Sequence, residues 1–434
     1  MASRAIAVTR DRHLRVVHDE ARTRSRLLER VRRRAAARTR NPTVVLVLLG
    51  ATWLLVGIGL IMVLSASSVS SYARYHSSFL FFKRQSLYVA AGGAMLLVTS
   101  RIRYRAWQRL AIPLMVASLA LLVVVLHPAV GTVAGGSTRW ITVGPVTIQP
   151  SEIAKLAMVV FTATILTRKW KRLDDALHVA LPLLPAVAVV CGLIMLQPDL
   201  GTTVIVASTV FVVTFVAGVR LRYLITGLLA SGLLGLAAIM ANGYMKARLL
   251  SFLHPQKDPL NTGYQLIQSL IGLGSGGWFG VGLGASRQKW MYIPNAHTDF
   301  IFSILGEELG LIGEIVVLVL FGMLIYAGIR VAARAPDTFG RLLAAGIVGW
   351  LGLQTLVNLG AVTGLLPVTG VPLPFVSFGG SSLVATLAAV GILVNIGRSS
   401  AETAAPAGRA APAGRATPAG RAAPAGRAGP GRRR

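Results

Sequence analysis

Stretches of about 20 apolar residues recur along this chain, and they leave it few ways to fold. A helix rising 1.5 Å per residue needs about 20 residues to cross a hydrocarbon slab of roughly 30 Å. Ten such stretches fall near 44–64, 79–99, 107–126, 151–167, 177–196, 202–218, 222–240, 299–329, 340–361 and 380–397. Inside lipid every backbone N–H and C=O must be paired within the protein, so only helices and closed barrels span. Barrel strands alternate apolar and polar residues, and these runs do not. The expected fold is an all-α polytopic membrane protein of about ten transmembrane helices. A large extracytoplasmic loop, 241–298, would separate spans seven and eight.

Three regions follow. Residues 1–43 form a basic tail with weak helical spacing at Leu27, Leu28 and Val31, residues 44–397 the membrane domain, and residues 398–434 a second basic tail. That last segment repeats Pro-Ala-Gly-Arg with a period of six, setting Arg409, Arg415, Arg421 and Arg427. It offers nothing to bury and reads as disordered. The basic N-terminal stretch is too long for the n-region of a signal peptide, and the first apolar run is long enough to span, so no cleavage is expected. The net charge of +29 would suggest nucleic acid in a soluble protein. Location argues otherwise, because residues 1–40 hold 13 Arg against 4 acids and residues 398–434 hold 8 Arg against 1. Basic segments beside spans mark retention next to anionic lipid on the cytoplasmic side. Cys191 is the only cysteine, so no disulfide or thiolate cluster forms within one chain.

The same charges orient the spans. With the N-terminus inside, the short inner loops carry 13 basic residues, from Arg101 to Arg341, and the short outer loops carry 4, Arg74, Lys83, Arg84 and Arg139. Both termini are then cytoplasmic, and the polar motifs all fall outside. These are Ser137-Thr138-Arg139-Trp140 leading to Gln149-Pro150-Ser151-Glu152 and Lys155; Gln197-Pro198-Asp199; the long loop; and Leu366-Pro367 through Ser381-Ser382. An outward-facing site built from four loops is the inference.

The segment from Ile293 to Phe302 is the centre of that site. It delivers His297, Thr298 and Asp299 to the mouth of an apolar helix bearing Glu307, Glu308 and Glu314. Ionisable groups at membrane depth are costly and are functional candidates by default. Asp299 is either a helix cap, satisfying free amides at a helix start, or a partly desolvated carboxylate made more basic by its surroundings. His297 is a second acid/base group or a structural hydrogen-bonder, and Glu307 and Glu314 share a face that suits a buried polar seam. Glu152 and Lys155, spaced i, i+3, suit a structural ion pair. Arg139 beside Trp140 suits an interfacial anchor or a fork on a diphosphate. In the long loop, Arg248, Asp258, Tyr264 and Gln265 alternate with apolar residues as in a segment lying on the membrane surface. The glycines from Gly272 to Gly284 lack the strand before and the Gly-Lys-Ser/Thr after that would make a phosphate loop, and read as flexible backbone. Pro372 to Ser382, with Ser377, Gly379, Gly380 and Ser381, reads as irregular backbone lining a cavity.

Taken in order, Ala296-His297-Thr298-Asp299-Phe300-Ile301-Phe302, Gly306-Glu307-Glu308-Leu309-Gly310, Arg139-Trp140, Pro150-Ser151-Glu152 with Lys155, Gln197-Pro198-Asp199-Leu200-Gly201, Tyr264-Gln265 and Pro374-Phe375 to Ser382 resemble the SEDS family of peptidoglycan glycosyltransferases. Ala296 and Gly306-Glu307 are closer to its division branch than to its elongation branch. The resemblance implies a ten-span polymerase of lipid II, in a bacterial plasma membrane and at the division septum. Asp299 would be its general base, and β-1,4 linkage would form with inversion and loss of undecaprenyl pyrophosphate. The implied substrate-binding residues are Arg139, Trp140, Glu152, Lys155, Gln197, Asp199, Arg248, His297, Thr298, Ser377, Gly379, Gly380, Ser381 and Ser382. Implied partners are a class B penicillin-binding transpeptidase and other divisome membrane proteins, with no nucleic acid. A divalent cation, Mg or Mn, is a cofactor that would suit the diphosphate. Two other functions fit the same residues: a lipid II flippase using the glutamates as a polar path, and a non-catalytic division scaffold in which Asp299 is only a cap.

Overall fold

A computed structural model describes residues 42–403, except 135–136, 145, 258, 260–262 and 295. Residues 1–41 with Leu27, Leu28 and Val31, residues 404–434 with the six-residue repeat, and Asp258 lie outside the described residues; the ends of the two basic tails at 42–43 and 398–403 belong to the first and last helices. Among those described, eight helices are long and apolar enough to cross a membrane. They are α1 (Pro42–Tyr75), α3 (Tyr104–Val124), α4 (Pro150–Arg168), α5 (Ala176–Met195), α7 (Leu221–Ala241), α10 (Ile301–Ala333), α11 (Thr338–Val362) and α12 (Gly380–Thr403). Two more complete the ten expected from the apolar runs. α2 (Leu80–Arg101) has the length but carries Lys83, Arg84 and Arg101, and α6 (Leu200–Val216) has 17 residues.

Local chemistry sets the helix starts. Pro150 opens α4, where its missing N–H costs nothing. Asp175, Asp199 and Asp337 cap α5, α6 and α11 by accepting from His178 N, Thr202 N and Gly340 N. The inside of the bundle is α4, α11 and α12, with 78%, 67% and 72% of their spanning residues buried, whereas α7 buries only 6%. α12 lies along α2 and α10 along α1. The first pair approaches closely through small residues: a Cβ on Gly92 would stand 2.6 Å from Leu387 Cδ1, and one on Gly391 would collide with Thr99.

Three features depart from the expectations. The stretch before α4 is an antiparallel sheet, β1 (Gly131–Ala134), β2 (Ser137–Val143) and β3 (Val146–Ile148), in the order β1-β2-β3. The long loop contains α8 (Gly243–Leu253) and α9 (Tyr264–Ser275). The glycine-rich run after α9 is tightly engaged backbone, not the flexible segment its composition suggested. α10 is broken at Gly310 (φ 66°, ψ −170°), and residues 277–282 plug the break. Val281 and Gly282 donate to Glu307 O and Glu308 O at 2.9 and 3.1 Å, while Leu311 and Ile312 donate to Gly277 O and Trp278 O at 2.9 and 3.3 Å. Non-helical backbone survives at membrane depth where protein pairs its freed groups, as these four bonds do here.

Candidate active site

The loops at one end of the bundle converge. Gln149 N, before α4, donates to Ser381 Oγ on α12 at 3.1 Å, and Thr147 N in β3 donates to Tyr88 Oη on α2 at 3.1 Å. Within this end, Asp299 sits two residues before the start of α10. The N-cap position is Phe300, and α10 receives no side-chain capping bond. Asp299 therefore does not do the work of a cap. Its Oδ1 accepts from Thr298 Oγ1 at 2.8 Å. Its Oδ2 faces Gly370, where a Cβ would lie 3.9 Å from that oxygen and 3.9 Å from Arg248 Nη1. Gly370 (φ 72°) turns the chain there with no side chain between the two.

Burial pushes the Asp299 carboxyl above the ordinary carboxylate range, opposed by the Thr298 hydroxyl and the Arg248 charge. A half-buried carboxylate raised in this way is a better base than a solvated one. Arg248 reaches across from α8 and donates to Val368 O at 3.3 Å. It also lines a cavity of about 50 Å³ with Pro198, Leu200, Ile239, Met245, Leu249, Pro367, Val368 and Thr369. The cavity is apolar apart from Arg248 and Thr369.

The other candidates spread over a wider frame. His297 is buried between Phe81 and Phe378, with ring centroids 4.5 and 5.6 Å away. Burial, helped by the charge of Arg74, lowers its pKa to about 4. Lys155 Nζ binds Glu152 Oε1 at 2.9 Å and Gln354 Oε1 at 2.7 Å, all buried, as the i, i+3 spacing anticipated. Arg139 is buried in β2, donates to Gln197 O at 2.9 Å and to Pro198 O, and stands 3.8 Å from Asp199 Oδ2. Its fork holds the turn into α6. Asp199 is the α6 cap, and Gln197 Nε2 reaches Leu122 O at 3.5 Å. Trp140 is half-buried on β2. Ser377 closes a turn by accepting from Leu373 N at 2.9 Å, and Gly380 takes the Tyr88 ring against its backbone. Gly379 accepts from Leu383 N at 2.8 Å. Ser382 O accepts from Thr386 Oγ1 at 2.8 Å. Of the residues picked from the sequence, Thr298, Asp299 and Arg248 share one place.

Glu307 and Glu308 face the loop before Asp299. Glu307 accepts from Ser286 Oγ, Arg287 N at 2.9 Å and Gln288 N at 3.2 Å. Glu308 accepts from Ser65 Oγ at 2.6 Å and stands 3.5 Å from Lys289 Nζ. Glu314 is half-buried, its carboxyl folded over Gly306. Asn358, on α11, carries no mark in the sequence, and neither does Gly370. A lone amide in an apolar helix has no spacing signal, though its depth was itself a hint. Among the described residues no group of three or more His, Cys, Asp or Glu could hold a metal ion.

Over residues 46–402 the chain matches the model of the FtsW/RodA/SpoVE family, described as cell cycle proteins. It is 46% identical over 362 residues to stage V sporulation protein E of Bacillus subtilis, covering 83% of this chain and 98% of that one. It is 44% identical over 339 residues to the probable peptidoglycan glycosyltransferase FtsW of Geobacter metallireducens, covering 78% and 90%. The crystal structure of the Thermus thermophilus rod shape determining protein RodA aligns with a TM-score of 0.59 at 33% identity, over 81% of this chain and 95% of that one. A chain from a study of structural coordination of polymerization and crosslinking by a peptidoglycan synthase complex aligns at 0.67 and 35%, over 81% and 97%. Sequence motifs, helical architecture and near-complete coverage of these relatives agree: the chain belongs to the FtsW/RodA/SpoVE family, the SEDS proteins.

Proposed function

We propose that this protein polymerises lipid II into glycan strands at the extracytoplasmic face of a bacterial plasma membrane, at the division septum. The observation that carries the reading is Asp299: it caps nothing, its carboxyl is raised by burial, and one oxygen faces the turn at Gly370 beside Arg248. Asp299 takes the proton from the 4-hydroxyl of the acceptor GlcNAc as that oxygen bonds to C1 of the lipid-linked donor sugar. The bond from C1 to the diphosphate breaks, undecaprenyl pyrophosphate leaves with the electron pair, and inversion gives the β-1,4 linkage. Arg248 supplies positive charge near the base, and the apolar walls of its cavity suit the first isoprene units of a polyprenyl chain. Arg139, Glu152, Lys155, Gln197, Asp199 and the 377–382 turn support the frame around that centre.

One carboxylate beside a guanidinium does not fit a protein-held divalent cation. The chain's own part in the reaction is the proton taken by Asp299 and the charge held by Arg248. The flippase reading needs Glu307, Glu308 and Glu314 as a polar path; the first two carboxylates are spent on residues 286–289 and Ser65, and the third lies folded over Gly306. Family likeness to a chain from a peptidoglycan synthase complex supports a class B penicillin-binding transpeptidase as partner.

The test is lipid II polymerisation in detergent by the wild type, Asp299→Asn and Asp299→Ala at equal folded concentration, with melting temperatures alongside. A general base contributes about 10²–10⁴-fold, so both variants should lose polymer while keeping their melts. Near-normal polymer from Asp299→Asn would sink the assignment.

A further inference from the structure

We infer that Asn358 is a positioning residue for Asp299, an inference that rests on Asp299 being the base. Asn358 is 1% exposed, on the face of α11 that also carries Gln354 one turn earlier. Its Nδ2 donates two bonds of 2.8 Å, one to Asp299's own backbone carbonyl and one to Val371 O. The amide's orientation is fixed by these partners, because turning it over would set Oδ1 against two carbonyl oxygens. Gln354 Nε2 holds the next carbonyl along, Pro372 O, at 3.0 Å. Two amides on one helix thus grip the segment 371–372, and only Asn358 also grips the residue that bears the carboxylate.

The consequence is geometric. Val371 follows Gly370, the residue faced by both Asp299 Oδ2 and Arg248 Nη1, and Arg248 is itself tied to Val368 O. One side chain therefore locks the backbone of the base to the segment whose Val368 carbonyl holds its cationic neighbour. α11 is a largely buried helix, so the lock refers both pieces to the interior of the bundle. The α10 end supplies no equivalent, since no side chain caps it. Freed of Asn358, Asp299 would keep its Thr298 hydrogen bond and its acidity but lose its fixed distance from a bound hydroxyl. Misplacement of about 1 Å costs on the order of 10²-fold in rate.

The experiment measures initial rates against lipid II concentration for full-length wild type, Asn358→Ala, Asn358→Ser, Asp299→Asn and the Asn358→Ala/Asp299→Asn double variant. Each is checked by thermal melting. Asn358→Ala should lower kcat about 10–100-fold with KM within about twofold. Asn358→Ser, retaining one donor in a smaller side chain, should fall between Ala and wild type and covers the case in which Ala folds poorly. Because the amide acts through Asp299, Asn358→Ala should cost less than about twofold on the residual activity of Asp299→Asn, read from long incubations. Equal losses in both backgrounds would make Asn358 a general structural residue and overturn the inference. So would wild-type kcat in Asn358→Ala and Asn358→Ser. Failure of the base assignment shows separately, as near-normal polymer from Asp299→Asn alone.

Discussion

His297 and Asp299 stand two residues apart, and burial disfavours the charged form of each, lowering the pKa of the first and raising that of the second. Burial between two phenyl rings holds the imidazole neutral, with a pKa near 4 where the usual value is 6.5. The unfolded chain binds a proton that the folded chain refuses between those values. Stability from the neutral ring is thus fully present above about pH 6.5 and is lost as pH falls towards 4. His297→Gln should flatten the decline of melting temperature across that window and keep polymerisation within about tenfold. Identical slopes for both proteins would show that the ring does not titrate there, and a collapse as deep as that of Asp299→Asn would make His297 a second acid/base group. The position of Asp299 at the mouth of an apolar helix was legible from the run that follows it, whereas its separation from the capping role needed the fold. For Arg139 the sequence left an interfacial anchor and a diphosphate fork open, and only the fold shows the guanidinium engaged by the carbonyls of Gln197 and Pro198.

Among elements, the helices were legible and the interruptions were not. Apolar runs give the spans because the slab sets their length, whereas the break in α10 depends on which backbone meets it. Gly310 takes a conformation essentially reserved for glycine, and a Cβ there would stand 2.7 Å from Trp278 C. Gly310→Ala should therefore cost about 2–4 kcal/mol from backbone strain and overpacking. Gly322→Ala, on the same helix with nothing within 4 Å of its Cβ, should be neutral or slightly stabilising. Melting temperature and folded yield in detergent report both, and equal behaviour would mean that residues 277–282 do not occupy the break. The sheet β1-β2-β3 was missed although its signal was present. Thr138, Trp140 and Thr142 alternate with Arg139, Ile141 and Val143 ahead of Gly144, and short strands between membrane spans pass easily for loop.

For the whole molecule, the bias of basic residues predicts that the candidate site faces the outside of the cell. In a Cys191→Ala background, Gln256→Cys should react with a membrane-impermeant maleimide on intact cells and Lys171→Cys only after permeabilisation; both positions are exposed. The reverse pattern would invert the topology and move the active site inside. The length of α1 bears on the same boundary. Its 34 residues make a rod of about 51 Å, laid across a slab of about 30 Å. That rod is pinned midway, by Ser65 to Glu308 and by Gly59, which receives the Phe375 carbonyl with no room for a side chain. With α1 unable to slide against α10 or the 372–379 turn, a mismatch in thickness falls on the lipid, which must tilt the whole bundle or thicken around it. Bilayers of different thickness should then be deformed by this protein before they deform the setting of Asp299.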